Sequence, residues 1–520
     1  MLLGQVSLSV LLALPIKCLC TAIYVQTGVS ASAAFAHAMI HAMQTFFWHD
    51  YETSGADARR DRPLQFAGVR TNLELEIVGE PVMFYGKPSR EMPPHPDACM
   101  ITGITPQLAE RQGLLESEFA ARVHEQLSTP GTCSVGYNSL CFDDEFTRQM
   151  LYRNFYEPYG REWENGNSRW DLIDLVRMCQ ALRPEGIVWP TRDDGSPSFK
   201  LEHLATANQL TQERAHDALS DVYALIDLAR LIRVRQPRLW DWYYGLRRKQ
   251  KVFEMLDVIG MTPVVHVSSR YPASRHCLTV IAPLAPHPSR AGEVIVYDLA
   301  TDPTAWLALD EEEIADRIFT ARADLPEGIE RIPLRTVRAN HAPALAPLSV
   351  LQGIDTDRLQ LNLQKCLAHA EVLRAAEGLT EKLRRVFQRA AELPPPDDPE
   401  LALYGGGFLP DADKKLLAQV RATPPEQLDQ RAFPFRDARY PELLFRYRAR
   451  NWPQTLDNEE RQRWDAFRKA RLTRHTSLTG LTLDDYFARI AELRADPQAQ
   501  GKLALLDQLQ DWGEELATSL

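Results

Sequence analysis

Thr45-Phe46-Phe47-Trp48-His49-Asp50-Tyr51-Glu52-Thr53 sets an aromatic run directly before two carboxylates separated by one residue. Phe, Trp and Tyr favour strands, and strand side chains alternate between faces. Asp50 and Glu52 therefore point the same way from the end of one strand, near enough to share a divalent cation. Ser54-Gly55 reads as the turn that ends it. Two acids on one strand end repel each other unless a positive charge lies between them. Alone, an Asp-x-Glu pair also fits an exposed strand with incidental acids, and the rest of the chain decides between these readings.

Outward from this strand, Leu64 to Thr71 and Pro81 to Lys87 predict two more, joined by short turns as an antiparallel meander. Thr105-Pro106 predicts a helix start, with Thr105 as N-cap and Pro106 in the first helical position. Helical spacing continues over Phe119 to Leu127, and Thr132 to Tyr137 predicts a buried strand. Phe142-Asp143-Asp144-Glu145 then opens a helix running to Tyr156. Acids in a first turn suit the helix dipole, and a helix start after a strand end is also where α/β folds place ligands. Trp170 to Leu182 reads as one amphipathic helix, and Phe199 to Leu204 restarts helix after a loop. Ala215-His216-Asp217 leads into a periodic helix through Val234. Within one helix His216 and Asp221 would lie roughly 140° apart, so they serve one site only if Asp217 caps the helix and leaves His216 before it.

Asp50, Glu52, Asp143, His216 and Asp221 thus come from two strand-end positions and two helix starts. Four acids converging from separate elements need cations between them. Mg²⁺ takes hard oxygen ligands, and two such ions about 4 Å apart clamp the attacking and leaving oxygens of a phosphodiester displacement. In this reading Asp50 bridges two Mg²⁺ ions, with Mn²⁺ able to substitute, and Glu52 and Asp221 complete the metal ligands. Asp143 orients the second ion's water shell, and His216 is the general base.

The stretch from Arg148 to Trp163 interleaves Arg148, Arg153 and Arg161 with Tyr152, Phe155, Tyr156, Tyr159 and Trp163. Bases stack on aromatics while arginines hold phosphates, which predicts a single-strand track with part of the aromatics given to the core. The net charge of −11 over 520 residues means that any polyanion must meet a locally basic surface. Eight scattered cysteines, none in a CxxC pair, argue for a reducing cytoplasm. Leu2 to Ala22 is apolar, but Lys17 interrupts the run of about 20 residues that a membrane helix needs. A signal or anchor is one reading of residues 1–44, and the preferred one is a poorly packed, non-native extension with Met39 or Met43 as the working start. Val264 to Leu299 predicts a small β-rich unit followed by helices. Pro394-Pro395-Pro396-Asp397-Asp398-Pro399 reads as a linker, and residues 400–520 as all helix.

His-Asp-Tyr-Glu-Thr (49–53), Ile-Thr-Gly-Ile-Thr (101–105), Gly-Tyr-Asn…Phe-Asp-Asp-Glu (136–145) and Ala-His-Asp-Ala…Asp-Val (215–222) resemble the DEDDh group of 3′→5′ exonucleases. Asn167 to Leu172, Ala181 to Gly186, Pro197 to His203, Arg235 to Leu239, Val264 to Ser268 and Tyr447 to Asn451 are similar to the exonuclease I family of single-strand-specific deoxyribonucleases. The resemblance covers residues 45–520. It implies an α/β ribonuclease-H-like exonuclease domain with a mixed five-stranded sheet (45–236). An SH3-like β-containing domain (237–392) and an all-α C-terminal domain (393–520) follow. It further implies two divalent metals, processive 3′→5′ release of mononucleotides from a DNA strand in a basic channel, and a role in repair. The partner implied is the single-stranded-DNA-binding protein, docked through its acidic tail to a monomeric enzyme away from any membrane. The strand-contacting set is Glu52, Arg148, Tyr159, Trp163, Arg177 and Lys200. Lys200 stands where the family usually carries Arg, giving a point charge in place of a fork. The rival readings are an exoribonuclease or proofreading exonuclease with the same chemistry, and a single-strand-binding scaffold.

Overall fold

β1 (Thr45–Thr53) is buried on both faces: Phe46 and Trp48 join one apolar cluster, and Phe47 and Tyr51 another. Such a strand must lie in the middle of a covered sheet. The computed structural model describes residues 44–211, 217–389 and 396–520. The extension read over residues 1–44 lies outside the described residues but for Gln44.

In chain order the first domain contains β1, β2 (Pro63–Thr71), β3 (Val82–Tyr85), α1 (Pro96–Thr102), α2 (Pro106–Gln112), α3 (Glu116–Leu127), β4 (Thr132–Gly136), α4 (Asp143–Arg153), β5 (Ser168–Asp171), α5 (Leu172–Leu182), α6 (Leu201–Ala207) and α7 (Ala218–Arg235). The sheet order is β3-β2-β1-β4-β5, antiparallel on the β2 side of β1 and parallel on the β4 side. Thr105 caps α2 by accepting the Leu108 N–H at 3.3 Å, with Pro106 first in the helix. Pairing of β1 with β4 ends at Trp48↔Val135, so Asp50 and Glu52 extend beyond the partner strand. That overhang at the carboxyl ends of parallel strands is where the site forms.

The single helix read over Trp170 to Leu182 is corrected. Ser168–Asp171 is a strand paired in parallel with β4, and Asp171 caps α5. Tertiary burial decided this: Trp170 is fully buried against Phe46, Trp240 and Tyr243, where an edge strand presents it.

Beyond α7, helices Pro237–Gly245 and Lys249–Met255 lead to a second, all-antiparallel sheet. Its strands are β6 (Val264–Val267), β7 (Leu278–Pro286), β8 (Glu293–Asp298), β9 (Leu334–Arg338) and β10 (Ala344–Pro347), in the order β10-β6-β7-β8-β9. One continuous apolar cluster runs from Phe46 and Trp170 through Trp240 to Val265 and Val280, so the two sheets share a core. The last domain is helical: Asp411–Ala422, Arg439–Asn451, Asn458–Thr473, Leu483–Ala495 and Leu503–Thr518. Among the described residues no helix is long and apolar enough to cross a membrane.

The helical domain is joined to the first by apolar packing and by buried charge. Tyr152 and Phe155 of the first domain pack with Tyr440, Leu443 and Tyr447. Beside them, the fully buried Glu91 meets Arg62 at 3.3 Å, Arg450 at 2.8 Å and Arg471 at 2.5 Å. Glu400, equally buried, meets Arg62 at 3.1 Å and Arg446 at 3.0 Å, and pairs with Arg450. Burial by itself would raise the Glu91 carboxyl, but Arg450, Arg471 and Arg62 hold it down at about 2. Removing one partner from such a network strands the others in low dielectric. Glu91→Gln is expected to cost about 3 kcal/mol, read as a lower melting temperature and faster proteolytic release of the C-terminal domain. Unchanged melting would show that the network contributes nothing net.

Candidate active site

Asp50 and Glu52 project from the same face of β1, and Asp221 reaches them from the first turn of α7. One carboxylate oxygen from each of the three lies within 4.8 Å of the other two. Asp217 caps α7, accepting the Leu219 N–H at 3.3 Å, as the sequence requires for a histidine standing before the helix. His216 itself lies outside the described residues. Asp143, first in α4, accepts the Tyr51 N–H at 3.2 Å, so its carboxylate sits against β1 midway between Asp50 and Glu52.

Like charges are packed closely here, each raising the others. Burial, then Asp143, Glu52 and Asp221, push the Asp50 carboxyl well above the usual carboxylate range. Burial and then Asp221, Asp143 and Asp217 push Glu52 up to about 8. Burial, and next Asp144 and Asp171, push Asp143 up to about 8. The adjacent Asp144 behaves oppositely: burial would raise it, yet Arg161 and Arg169 hold it far below its ordinary value. Four oxygen-bearing side chains that cannot all ionise without a counter-charge fit divalent cations. The all-carboxylate donor set suits a hard ion such as Mg²⁺.

Two further carboxylates, not singled out by sequence reasoning, brace this centre. Asp171 accepts the N–H groups of Asn138 at 2.8 Å, Leu140 at 3.1 Å and Ile173 at 3.0 Å, tying the loop before α4 to β5. Asp144 pairs with Arg169 at 2.7 Å and with Arg161, locking the first turn of α4. The loop is tight as well: a Cβ on Gly136 would lie 2.4 Å from the Ser139 Cβ. The only local signal for these roles was the cap position of Asp171 before a helix.

A cleft of about 1000 Å³ opens from Asp221 between the first domain and the SH3-like sheet. Its walls carry six cations (Arg177, Arg192, Lys200, Arg270, Arg275 and Arg335) against three acids (Glu202, Asp221 and Asp298). This is the local basic surface that the acidic chain as a whole required. Lys200 is exposed there, 3.2 Å from Glu202. Arg177 is held at 2.6 Å by Asp174 and lies over Phe199. Arg270 and Arg335 come from strand-loop positions that carried no motif.

The predicted Arg148–Trp163 track does not survive as a unit. Arg148 is buried, with Glu162 on its Nε at 2.7 Å and Glu145 on its Nη1 at 2.6 Å, so its charge is spent inside the protein. Arg153 is paired with Glu116 at 2.9 Å and Arg161 with Asp144. Tyr159 packs on the C-terminal cluster, its ring 5.6 Å from the Arg148 guanidinium. Trp163 alone is exposed, at 66%. Basic and aromatic residues in alternation look the same whether they face a strand or seal a domain interface.

Carboxylates gathered at the strand ends of a mixed sheet, facing a basic cleft, define the class: a metal-dependent exonuclease of ribonuclease-H-like architecture. Family models match along the chain as Exonuclease (residues 47–229), Exonuclease I SH3-like domain (247–389) and Exonuclease I C-terminal domain (397–516). The exodeoxyribonuclease I of Escherichia coli is 44% identical over 472 residues, covering 91% of this chain and 98% of that protein. A solved exonuclease I from Methylocaldum szegediense superposes with a TM-score of 0.87 at 49% identity, over 91% of this chain and 99% of that one. E. coli exonuclease I in complex with a dA16 oligonucleotide superposes at 0.86 with 44% identity, over 91% and 100%. The chain belongs to the exonuclease I family.

Proposed function

We propose that this protein is a cytoplasmic, monomeric, single-strand-specific 3′→5′ DNA exonuclease that hydrolyses terminal phosphodiesters at a two-metal site and releases 5′-mononucleotides in repair and recombination. The observation that carries the reading is the meeting of Asp50, Glu52 and Asp221 within 4.8 Å at the end of a cleft whose charged side chains are mainly cationic. The family relationship supports it: E. coli exonuclease I has been solved with single-stranded DNA and zinc.

Divalent ions bound here would polarise the scissile phosphate and make the attacking water acidic. Asp50, Glu52 and Asp221 would hold them, and Asp143 would orient a coordinated water from its fixed place beside Tyr51. His216, next to the capping Asp217, takes the proton from the attacking water. Lys200 and Arg177 steer the strand's phosphates toward Asp221. Catalysis occupies the span 45–236, and the SH3-like (237–392) and helical (393–520) spans hold the strand. A solved SSB/exonuclease I complex supports a single-stranded-DNA-binding protein as partner, and its acidic tail is the segment we assign to the docking.

The test is degradation of 3′-labelled and 5′-labelled DNA strands with Mg²⁺ and with EDTA, beside a blunt duplex and an RNA strand. Mg²⁺-dependent loss from the 3′ end of DNA that spares duplex is expected. Preference for RNA would make the protein an exoribonuclease, and tight binding without degradation would make it a scaffold.

A further inference from the structure

Beside the start of α4, and sharing no lining residue with the basic cleft, lies another cavity of about 560 Å³. Its walls are the turn after β1 (Ala56 to Arg59), Cys141 and Phe142 just before α4, Glu145, and Tyr404 from the segment entering the helical domain. It therefore adjoins both carboxylate-bearing elements, four residues beyond Glu52 on one side and at the residue preceding Asp143 on the other. Ala56 and Ala58 keep it open, while Phe142 and the 54%-exposed Tyr404 give it aromatic faces.

Tyr404 is fixed in this position. Its hydroxyl donates to Glu145 at 2.5 Å and accepts from Arg148 Nη1 at 3.3 Å. The Arg439 guanidinium donates to the Ala402 carbonyl at 2.6 Å and the Gly407 carbonyl at 3.3 Å, gripping both ends of the Leu403–Gly407 turn. Gly406 leaves room for that guanidinium, since a Cβ there would lie 2.2 Å from it, and Gly407 takes φ +72°. Beyond the turn Leu409 packs into the C-terminal cluster, whereas Phe408 is held outward at 93% exposure.

The carboxylates in this cavity are already engaged, Glu145 by Arg148 and Tyr404 and Asp57 by Arg60. They still repel phosphate, so an aromatic group enters here in preference to a backbone, with Arg59 exposed at the rim. We propose that the cavity receives an unpaired base of the DNA strand, stacked on Tyr404 with Phe142 as the opposite wall, and that Phe408 offers a stacking face to a neighbouring base. This rests on the DNA-exonuclease reading and adds to it a base-stacking site supplied by the helical domain. Only a strand with free base faces can use it, because a duplex keeps those faces stacked.

Binding of a 2-aminopurine-labelled DNA strand in EDTA tests this. The wild type should quench the 2-aminopurine placed near the 3′ end, and the strand should protect Cys141 from maleimide, read by peptide mass spectrometry. Stacking is worth about 1–3 kcal/mol per base, so Tyr404→Ala should weaken binding about 5-fold to 150-fold and relieve the quenching. Its salt dependence should stay unchanged, because no phosphate contact is lost. Tyr404→Phe should restore binding, and Phe408→Ala should give a smaller loss. Unprotected Cys141, or wild-type affinity in Tyr404→Ala, overturns the proposal. If Tyr404→Ala misfolds by circular dichroism, the Cys141 footprint and Tyr404→Phe still decide. A wild type that does not degrade DNA sinks the underlying reading, whereas degradation without these stacking effects sinks this inference alone.

Discussion

Asp221→Ala should abolish Mg²⁺-dependent DNA cleavage while leaving single-strand binding in EDTA intact. Asp221 is one of three carboxylates within 4.8 Å, and the alternative explanations for a helical Asp at such a place are structural. It is not the cap of α7, because Asp217 takes that role. Losing one of three ligands removes charge from the scissile phosphate's surroundings, worth several kcal/mol, or about 1,000-fold in rate. Single-turnover cleavage of a 3′-labelled strand measures it, with Asp50→Asn as a second variant of nearly equal shape. Asp50→Asn should melt at or above the wild-type temperature without metal, since it removes one of the mutually repelling acids. A variant that fails to fold would make the residue structural, and cleavage within 10-fold of wild type would end the metal-cluster reading.

The second large effect is on metal-free stability as a function of pH. Glu52 and Asp143 are pushed up to about 8 by burial and neighbouring acids, while carboxyls in an unfolded chain titrate near 4. Between those values the folded state holds more protons than the unfolded state, so the slope of unfolding free energy against pH is negative. The raised carboxyls thus favour the fold at low pH, and this advantage disappears as pH rises through about 8. From pH 5 to pH 8 each should remove on the order of 3 kcal/mol. Buried His266 and His49 and half-buried His341, lowered by desolvation to about 3, 4 and 3, work the other way below their ordinary value of 6.5. The measurement is therefore a difference: urea or thermal unfolding from pH 5 to 8 with EDTA against saturating Mg²⁺, and wild type against Asp143→Asn. Mg²⁺ should cancel the loss and release protons on binding at pH 7, and Asp143→Asn should flatten the metal-free curve. Equal slopes in EDTA and Mg²⁺ would mean that these carboxyls do not bind the ion.

Much of the candidate site was legible because it is written in short-range patterns. Alternation put Asp50 and Glu52 on one face, Thr105-Pro106 marked a helix start, and Asp217 marked the cap before Asp221. Each is a matter of backbone geometry over two to four residues. The role of Asp171 was hidden because Trp170 to Leu182 read as one helix, which placed the cap residue inside it. Arg148 misled for a related reason: its nearest carboxylate on the same helix, Glu145, is visible in sequence, but Glu162, which completes its burial, stands on a later turn.

The sequence by itself determined the carboxylate-bearing strand, the helix starts and, through its motifs, the family. Those depend on residue type and spacing along a continuous backbone. Only the tertiary structure decided that Trp170 lies in an edge strand and that two sheets share one core. It also decided that the arginines of the aromatic track are consumed by carboxylates of the first domain while Arg270 and Arg335 line the cleft. The physical reason is that a charge or a ring is neutral between uses until its surroundings are known. Burial beside a carboxylate consumes a guanidinium, and exposure beside a cleft leaves it for a ligand. That difference arises from residues distant in the chain.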